Sequence, residues 1–218
     1  MPKISLYGHD DTPFTEKCRR ALVFKRLPFD LHISTGPEDV KRWSPVTGLL
    51  PVMRVDDELV SDSTTILYRI EELKPDPPLL SPDPNVATQQ RNLEDWADES
   101  FLWYWQEWFR LDGEAPPPAP ESAFARFRRL LGLGAADPRE RAKAELVRGL
   151  TDRMNDLVNF LGSRPYFYSD QPSLADLTVH AMLRTLRRDE IPGAAGQLSA
   201  RPALVAFMRR VEAETGGA

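Results

Sequence analysis

The 218-residue chain holds a single cysteine, Cys18, which excludes an intrachain disulfide and fits a reducing compartment. Histidine is almost as scarce: His9, His32 and His180 are scattered, and no Cys/His cluster has the spacing of a metal site. No apolar run approaches the roughly 18 residues of a membrane span, and no basic-plus-apolar leader opens the chain. A cytoplasmic protein with no metal, membrane or nucleic-acid partner is therefore expected. Basic charge is not in excess either, since the net charge is −5. What remains is ordinary for a globular protein, with 41% hydrophobic and 28% charged residues. The length suits one large or two modest domains. Proline is abundant at 20 and concentrates in two stretches that read as linkers.

Ile4 and Leu6 alternate with Ser5 and Tyr7, which predicts a first strand ending near Tyr7. After the loop 8–12, Thr12-Pro13 pairs an N-cap with a proline at the first helical position. Phe14, Cys18, Ala21 and Leu22 form the apolar stripe of this helix, and Glu16, Lys17, Arg19 and Arg20 lie off it. Leu27-Pro28 ends it, because the residue before a proline avoids the α region. Phe29, Leu31 and Ile33 alternate in a second strand, and 37–43 reads as a short irregular helix. Residues 49–63 then read as two short strands joined at Asp56-Asp57 and running into a helix. Pro51 opens the first of these strands, where a missing donor is tolerated. Beyond Val60 the period becomes helical at Ile66, Leu67, Ile70 and Leu73, with Ser63 as the expected N-cap. Asp62 and Ser63 thus sit at a strand-to-helix junction, where free N–H groups and the helix dipole favour an anion.

Residues 74–84 carry Pro77, Pro78, Pro82 and Pro84 without an apolar period, and read as a linker between domains 1–73 and 85–218. Everything beyond looks helical. A long helix runs from 85 to about 110, a proline-rich break covers 115–120, and a short helix with Arg126, Arg128 and Arg129 follows at 121–133. Leu146, Leu150, Met154, Leu157 and Leu161 mark a long amphipathic helix ending at Gly162. Ser173 and Asp176 make a capping-box-like pair, and Arg201-Pro202 opens the last helix. The helix from 85 is unusual for its aromatics. Leu93, Trp96, Tyr104 and Leu111 suit one face, Phe101, Trp105 and Phe109 another. One apolar face belongs to the core. The second is open to three uses: a ligand pocket, a dimer interface, or packing under the connection 111–136.

The order β-α-β-α-β-β-α followed by helices, the Leu-Pro-Val at 50–52, the Asp-Ser pair at 62–63 and the Ser-x-x-Asp at 173–176 together resemble the cytosolic glutathione S-transferase family, in its bacterial, serine- or theta-like type. The resemblance covers nearly the whole chain, most densely at 4–73 and 165–211. It implies an α+β fold: a thioredoxin-like N-terminal domain followed by an all-α C-terminal helical domain. It implies a cis bond before Pro51, with the backbone of Leu50 pairing with the cysteinyl part of glutathione like a short added strand. Ser63 would receive the γ-glutamyl carboxylate and Asp62 would lie near the ammonium. Glutathione as co-substrate, a small apolar electrophile, a homodimer and a detoxifying role are further implications.

Conjugation needs a thiolate at neutral pH, whereas a free thiol titrates near about 8.5. A hydroxyl donating to sulfur beside a helix N-terminus lowers that value. Thr12 occupies the place where relatives carry serine, or cysteine in beta- and omega-like members, although the same residue is the helix cap. Tyr7 stands where tyrosine-type members place a phenol, and Thr15 lies one turn beyond Thr12. Cys18 falls on the apolar stripe and reads as core, and His9 as an exposed loop residue. Four departures from the family pattern stand out, the first being a segment 44–50 about one residue longer than usual. Gly48 and Leu49 replace the basic residue expected near the glycyl carboxylate, leaving Lys41 and Arg42 as substitutes. Glu16 replaces an arginine and sets a carboxylate one turn from Thr12. Ser169 stands where glycine is usual. The reading is a glutathione transferase. The alternatives are a glutathione-dependent isomerase, lyase or peroxidase, or a non-catalytic binding or regulatory protein that kept the fold.

Overall fold

The structure is a computed structural model that describes residues 2–113 and 137–216. Four strands, β1 (Ile4–Gly8), β2 (Asp30–Ile33), β3 (Val52–Val55) and β4 (Glu58–Ser61), form a mixed sheet in the order β2-β1-β3-β4. β1 and β2 are parallel, which requires a crossover, and α1 (Pro13–Phe24) supplies it. β3 is antiparallel to both β1 and β4, so a tight turn suffices between β3 and β4. Asp56 takes that turn at φ +51° and is pinned by Lys3, whose N–H donates to its carboxylate at 2.9 Å. The period-2 rule then assigns the faces. Ile4, Leu6, Met53, Val55 and Val60 pack against Cys18, Ala21 and Leu22 of α1 and Ile66, Leu67 and Ile70 of α3 (Ser63–Leu73). Tyr7 and His32, paired in register, stack at 4.7 Å on the opposite face, where Trp43 of α2 (Pro37–Trp43) closes over Tyr7 at 5.0 Å. This half is thioredoxin-like.

The helical half begins with α4 (Pro84–Asp112) and continues through α5 (Pro138–Leu161), α6 (Leu174–Leu186), α7 (Ala194–Ser199) and α8 (Pro202–Glu214). Every residue of α6 except Arg184 is buried, so α6 is the central helix, apolar nearly all round. Leu146, Leu150, Met154 and Leu157 of α5 and Phe207 and Met208 of α8 surround it in one continuous core. The six-residue α7 lacks an apolar period and is not read from sequence. The basic helix expected at 121–133 lies outside the described residues. Residues 74–83 carry no helix or strand, yet they are tied down: Leu79 is buried and its carbonyl accepts from the Leu174 N–H at 2.8 Å. Among the described residues no helix is long and apolar enough to cross a membrane.

Of the charges off the apolar stripe of α1, Arg19 keeps partial exposure and the others are buried. Lys17, Arg20 and Lys25 are fully buried and Glu16 nearly so, because α1 is held between the sheet and the helical half. Buried charge must be paired, and here it is. Lys17 Nζ lies 2.6 Å from Glu94 and 2.5 Å from Asp98 of α4. Arg20 Nε lies 2.7 Å from Glu16, its Nη1 donates to Thr215, and Lys25 pairs with Glu71.

The capping box at α6 is present. Asp176 accepts from the Ser173 N–H at 2.8 Å and from its hydroxyl at 2.6 Å, and also from the Phe167 N–H at 2.8 Å. Burial pushes the Asp176 carboxyl up to about 7 against the pull of those bonds. Asp176→Ala leaves two buried N–H groups without an acceptor and is expected to cost about 2–4 kcal/mol in urea unfolding. Asp176→Asn keeps one acceptor and costs less. A loss below about 1 kcal/mol for the alanine variant would mean that the cap does not hold α6 in place.

Candidate functional site

The ladder register brings three loops to one end of the sheet. Tyr7 pairs with Val52 across β1 and β3, and Val52 with Ser61 across β3 and β4. The chain therefore leaves this row toward Thr12 after β1, enters it from Leu50-Pro51 before β3, and leaves it through Asp62-Ser63 after β4. The Leu50–Pro51 bond is cis. β3 starts at Val52, so the half-buried Leu50 keeps its backbone outside the ladder.

Thr12 is the N-cap of α1, and its hydroxyl accepts from the Thr15 N–H at 3.3 Å. The two threonine hydroxyls lie 2.9 Å apart. At α3 the cap is Asp62 and not Ser63. Asp62 accepts from the Thr65 N–H at 2.9 Å and from its hydroxyl at 3.1 Å, and Ser63 is the first helical residue, buried. Both residue types cap helices well, and the junction selects the one whose backbone is still non-helical. Asp62 sits at φ +75°, a strained conformation for a non-glycine residue and of the kind that concentrates at functional sites. Tyr7 does not join this group. Its ring is stacked beneath α2 with His32 and Trp43.

The electrostatics differ from what composition suggests. Glu16, one turn below Thr12, does not present a free charge. Burial would raise its carboxyl, but Arg19, Arg20 and Arg184 outweigh that and hold it down at about 2. Cys18 is fully buried and donates to the Ser63 carbonyl at 3.6 Å; burial pushes its thiol far above the ordinary range. It packs as a core residue. Lys41 and Arg42 are exposed and pair locally with Glu38 at 2.9 Å and Asp39 at 2.6 Å. Leu49, in the segment before Pro51, is 71% exposed.

Beside Thr12 opens a cleft of about 260 Å³. Its walls come from both halves: Asp11, Thr12, Pro13 and Phe14 on one side, Phe101, Leu102, Trp105 and Phe109 of α4 on the other, with Met182, Thr185 and Glu190 at one end. The second apolar face of α4 thus lines a pocket. Phe101 is buried at its base and Phe109 is half-exposed at its rim. Two features of this region were not read from sequence. One is the Lys17–Glu94–Asp98 cluster, extended by the Thr64 hydroxyl, which donates to Glu94 at 2.8 Å. Its available signal was the i,i+4 spacing of Glu94 and Asp98. The other is Arg188, which donates to the carbonyls of Asp11 at 3.4 Å and Asp10 at 3.5 Å.

A cap hydroxyl, a cis-proline loop and a strained strand-to-helix junction at one sheet end, roofed by an all-helical half, define the architecture of the glutathione transferases. The chain belongs to the glutathione S-transferase family: the N-terminal domain profile matches residues 6–78 and the C-terminal domain profile residues 134–216. Among curated proteins it is similar to "Glutathione S-transferase DHAR3, chloroplastic" from Arabidopsis thaliana, 36% identical over 75 residues, which are 33% of this chain and 29% of that protein. It is also similar to "Glutathione S-transferase DHAR2" from the same plant, 34% identical over 76 residues, 33% of this chain and 35% of that protein. The match thus spans about a third of these relatives' length. Among solved structures, a glutathione S-transferase from Methylobacterium radiotolerans in complex with glutathione sulfonate matches with a TM-score of 0.65 and 25% identity, covering 99% of this chain and 96% of that one. The β-etherase LigF from Sphingobium sp. strain SYK-6 matches with a TM-score of 0.71 and 22% identity, covering 97% and 95%.

Proposed function

We propose that this protein is a glutathione transferase that adds the glutathione thiolate to an apolar electrophile, with Thr12 stabilising the thiolate. One observation carries this reading: Thr12, whose hydroxyl caps α1, lines an apolar cleft together with Phe101, Trp105 and Phe109. Glutathione extends along the free backbone of Leu50 beside Pro51, its γ-glutamyl end at Asp62 and Ser63. The thiol loses its proton to solvent, the sulfur attacks the electrophilic carbon, and the leaving group departs with the bonding electrons. Orientation and thiolate stabilisation supply the acceleration, without a covalent enzyme intermediate. The glutathione-binding domain is residues 1–73, the linker 74–84 and the helical domain 85–218. The active form is a cytoplasmic homodimer, as is common in the family. Tyr7 has the weaker claim to the thiol, because its ring is engaged under α2.

A second reading, a binding or regulatory protein without turnover, is favoured by the exposed Leu49 where a cation would hold the glycyl carboxylate. Calorimetry with glutathione separates the two. Binding at millimolar concentration followed by turnover of a chloronitrobenzene supports the transferase, binding without turnover of any electrophile or peroxide supports the second reading, and no heat at all would sink the transferase. The cleft makes its own prediction. Trp105→Ala removes half-buried aromatic surface and should raise KM for an aromatic electrophile about 10-fold while leaving KM for glutathione unchanged. Equal effects on both substrates would place the electrophile elsewhere.

A further inference from the structure

We infer that Thr15 is a positioning residue for the thiol: its hydroxyl donates to Thr12 Oγ1 and so turns the Thr12 proton out of the loop, toward the sulfur of bound glutathione. The inference rests on the Thr12 reading above. It comes from counting protons and lone pairs. Thr15 is 3% exposed, and its Oγ1 accepts from the His9 N–H at 3.1 Å. Its own proton then has one close acceptor, Thr12 Oγ1 at 2.9 Å. Thr12 Oγ1 also accepts from the Thr15 N–H at 3.3 Å. With both lone pairs engaged, the Thr12 proton cannot point back at Thr15. Its remaining protein acceptor, the His9 carbonyl at 3.5 Å, is at the limit of a hydrogen bond. A sulfur anion in the cleft is the better partner. The chain His9 N–H, Thr15 O–H, Thr12 O–H runs in one direction, and such chains strengthen each member.

The local sequence builds this device. In a capping box the side chain three residues after the cap reaches back to the cap's own N–H. Thr15 holds that position but turns to His9 and to the Thr12 hydroxyl instead. Gly8 makes room for it, since a Cβ there would lie 2.3 Å from both Thr15 Oγ1 and Cγ2. The charged groups facing the loop are Asp10 and Asp11 on it, Glu16 and Arg19 on α1, and Glu190 and Arg188 beyond α6. None of them changes in the variants below.

The test is the ultraviolet absorbance of the bound thiolate, titrated against pH in the full-length protein. Thr15→Val and Thr15→Ala should move the titration up by about 0.5–1 pH unit, the worth of one hydrogen bond, while Thr15→Ser stays within about 0.2 of wild type. In a Thr12→Val background, Thr15→Val should add nothing. If Thr12→Val shifts the titration and neither Thr15→Val nor Thr15→Ala does, the role of Thr15 is refuted and that of Thr12 stands. A Thr15 shift that persists without the Thr12 hydroxyl also refutes the relay. No shift in Thr12→Val overturns the Thr12 reading, and the inference with it. Should the valine variant not fold, the alanine and serine variants decide the question alone.

Discussion

Lys17→Met is expected to lose about 3–5 kcal/mol of unfolding free energy, the largest effect on stability of any single substitution considered for this chain. The ammonium is fully buried, 2.6 Å from Glu94 and 2.5 Å from Asp98, and methionine fills its volume without its charge. Burial opposes the Lys17 charge, but Asp98 and Glu94 outweigh it and hold the ammonium above its ordinary range. Burial likewise pushes Asp98 up to about 6, against the pull of Lys17. The variant leaves two carboxylates without a cation, and a domain stable by roughly 5–15 kcal/mol loses a large share of that margin. Lys17→Met combined with Glu94→Gln and Asp98→Asn should recover most of the loss, because a whole buried network can be neutralised at little cost. A single-variant loss below about 1 kcal/mol in guanidinium unfolding would show that water compensates the carboxylates.

The pH dependence of that loss has a definite sign. Burial raises Asp98 and Lys17 pulls it down, so without Lys17 the folded-state pKa of Asp98 lies further above its unfolded one. The folded variant then binds more protons than its unfolded chain between the ordinary carboxylate range and neutrality, so its stability falls as pH rises through that window. The deficit against wild type should be greatest at neutral pH and shrink toward about pH 5. His180 works the other way in both proteins. Burial pushes its imidazole down to about 4, so it contributes stability that is present above its unfolded value and lost as pH falls toward that level. Because His180 is common to both proteins, its slope cancels in the difference.

The elements that periodicity and caps can specify were legible. β1, α1, the β3–β4 turn at Asp56, the cap at Thr12 and the box at Ser173 all rest on interactions within a few residues. The engagement of Tyr7 under α2 was not read, because the partner rings His32 and Trp43 meet it only once the sheet and α2 are assembled. The choice between Asp62 and Ser63 as cap was not legible either, since two adjacent good caps differ only in where the helical backbone starts. The burial of the α1 charges was beyond any local pattern. A stripe describes one buried face, and the second face of α1 is buried by residues 77 and 81 positions away, whose charges match Lys17 only after the two halves dock. The two-sided aromatic pattern of α4 did announce itself, because a helix apolar on two faces needs two neighbours. Which neighbour took Phe101, Trp105 and Phe109 emerged only with the cleft beside Thr12.

Thr12→Val should cut kcat/KM about 10–100-fold at pH 6.5, the worth of one hydrogen bond to a charged sulfur. Valine keeps the shape and removes the donor, so the N–H groups of α1 still attract the thiolate but nothing at the cap donates to it. The pKa of the bound thiol then rises toward that of the free thiol, and the sign follows. Below the wild-type value both enzymes run on a small thiolate fraction, and the variant's is smaller by the full shift. Above the variant's value both thiols are ionised and the deficit closes, so the pH–rate profile is displaced to higher pH and its plateau changes little. Thr12→Ser should preserve the profile, because the hydroxyl and the cap both survive. Thr12→Cys should do something different: a thiol at a helix N-terminus is itself acidified, and it would form a mixed disulfide with oxidised glutathione that mass spectrometry detects. A uniform loss for Thr12→Val at all pH values would mean that Thr12 holds the loop and not the sulfur. The thiolate would then depend on the dipole of α1 alone.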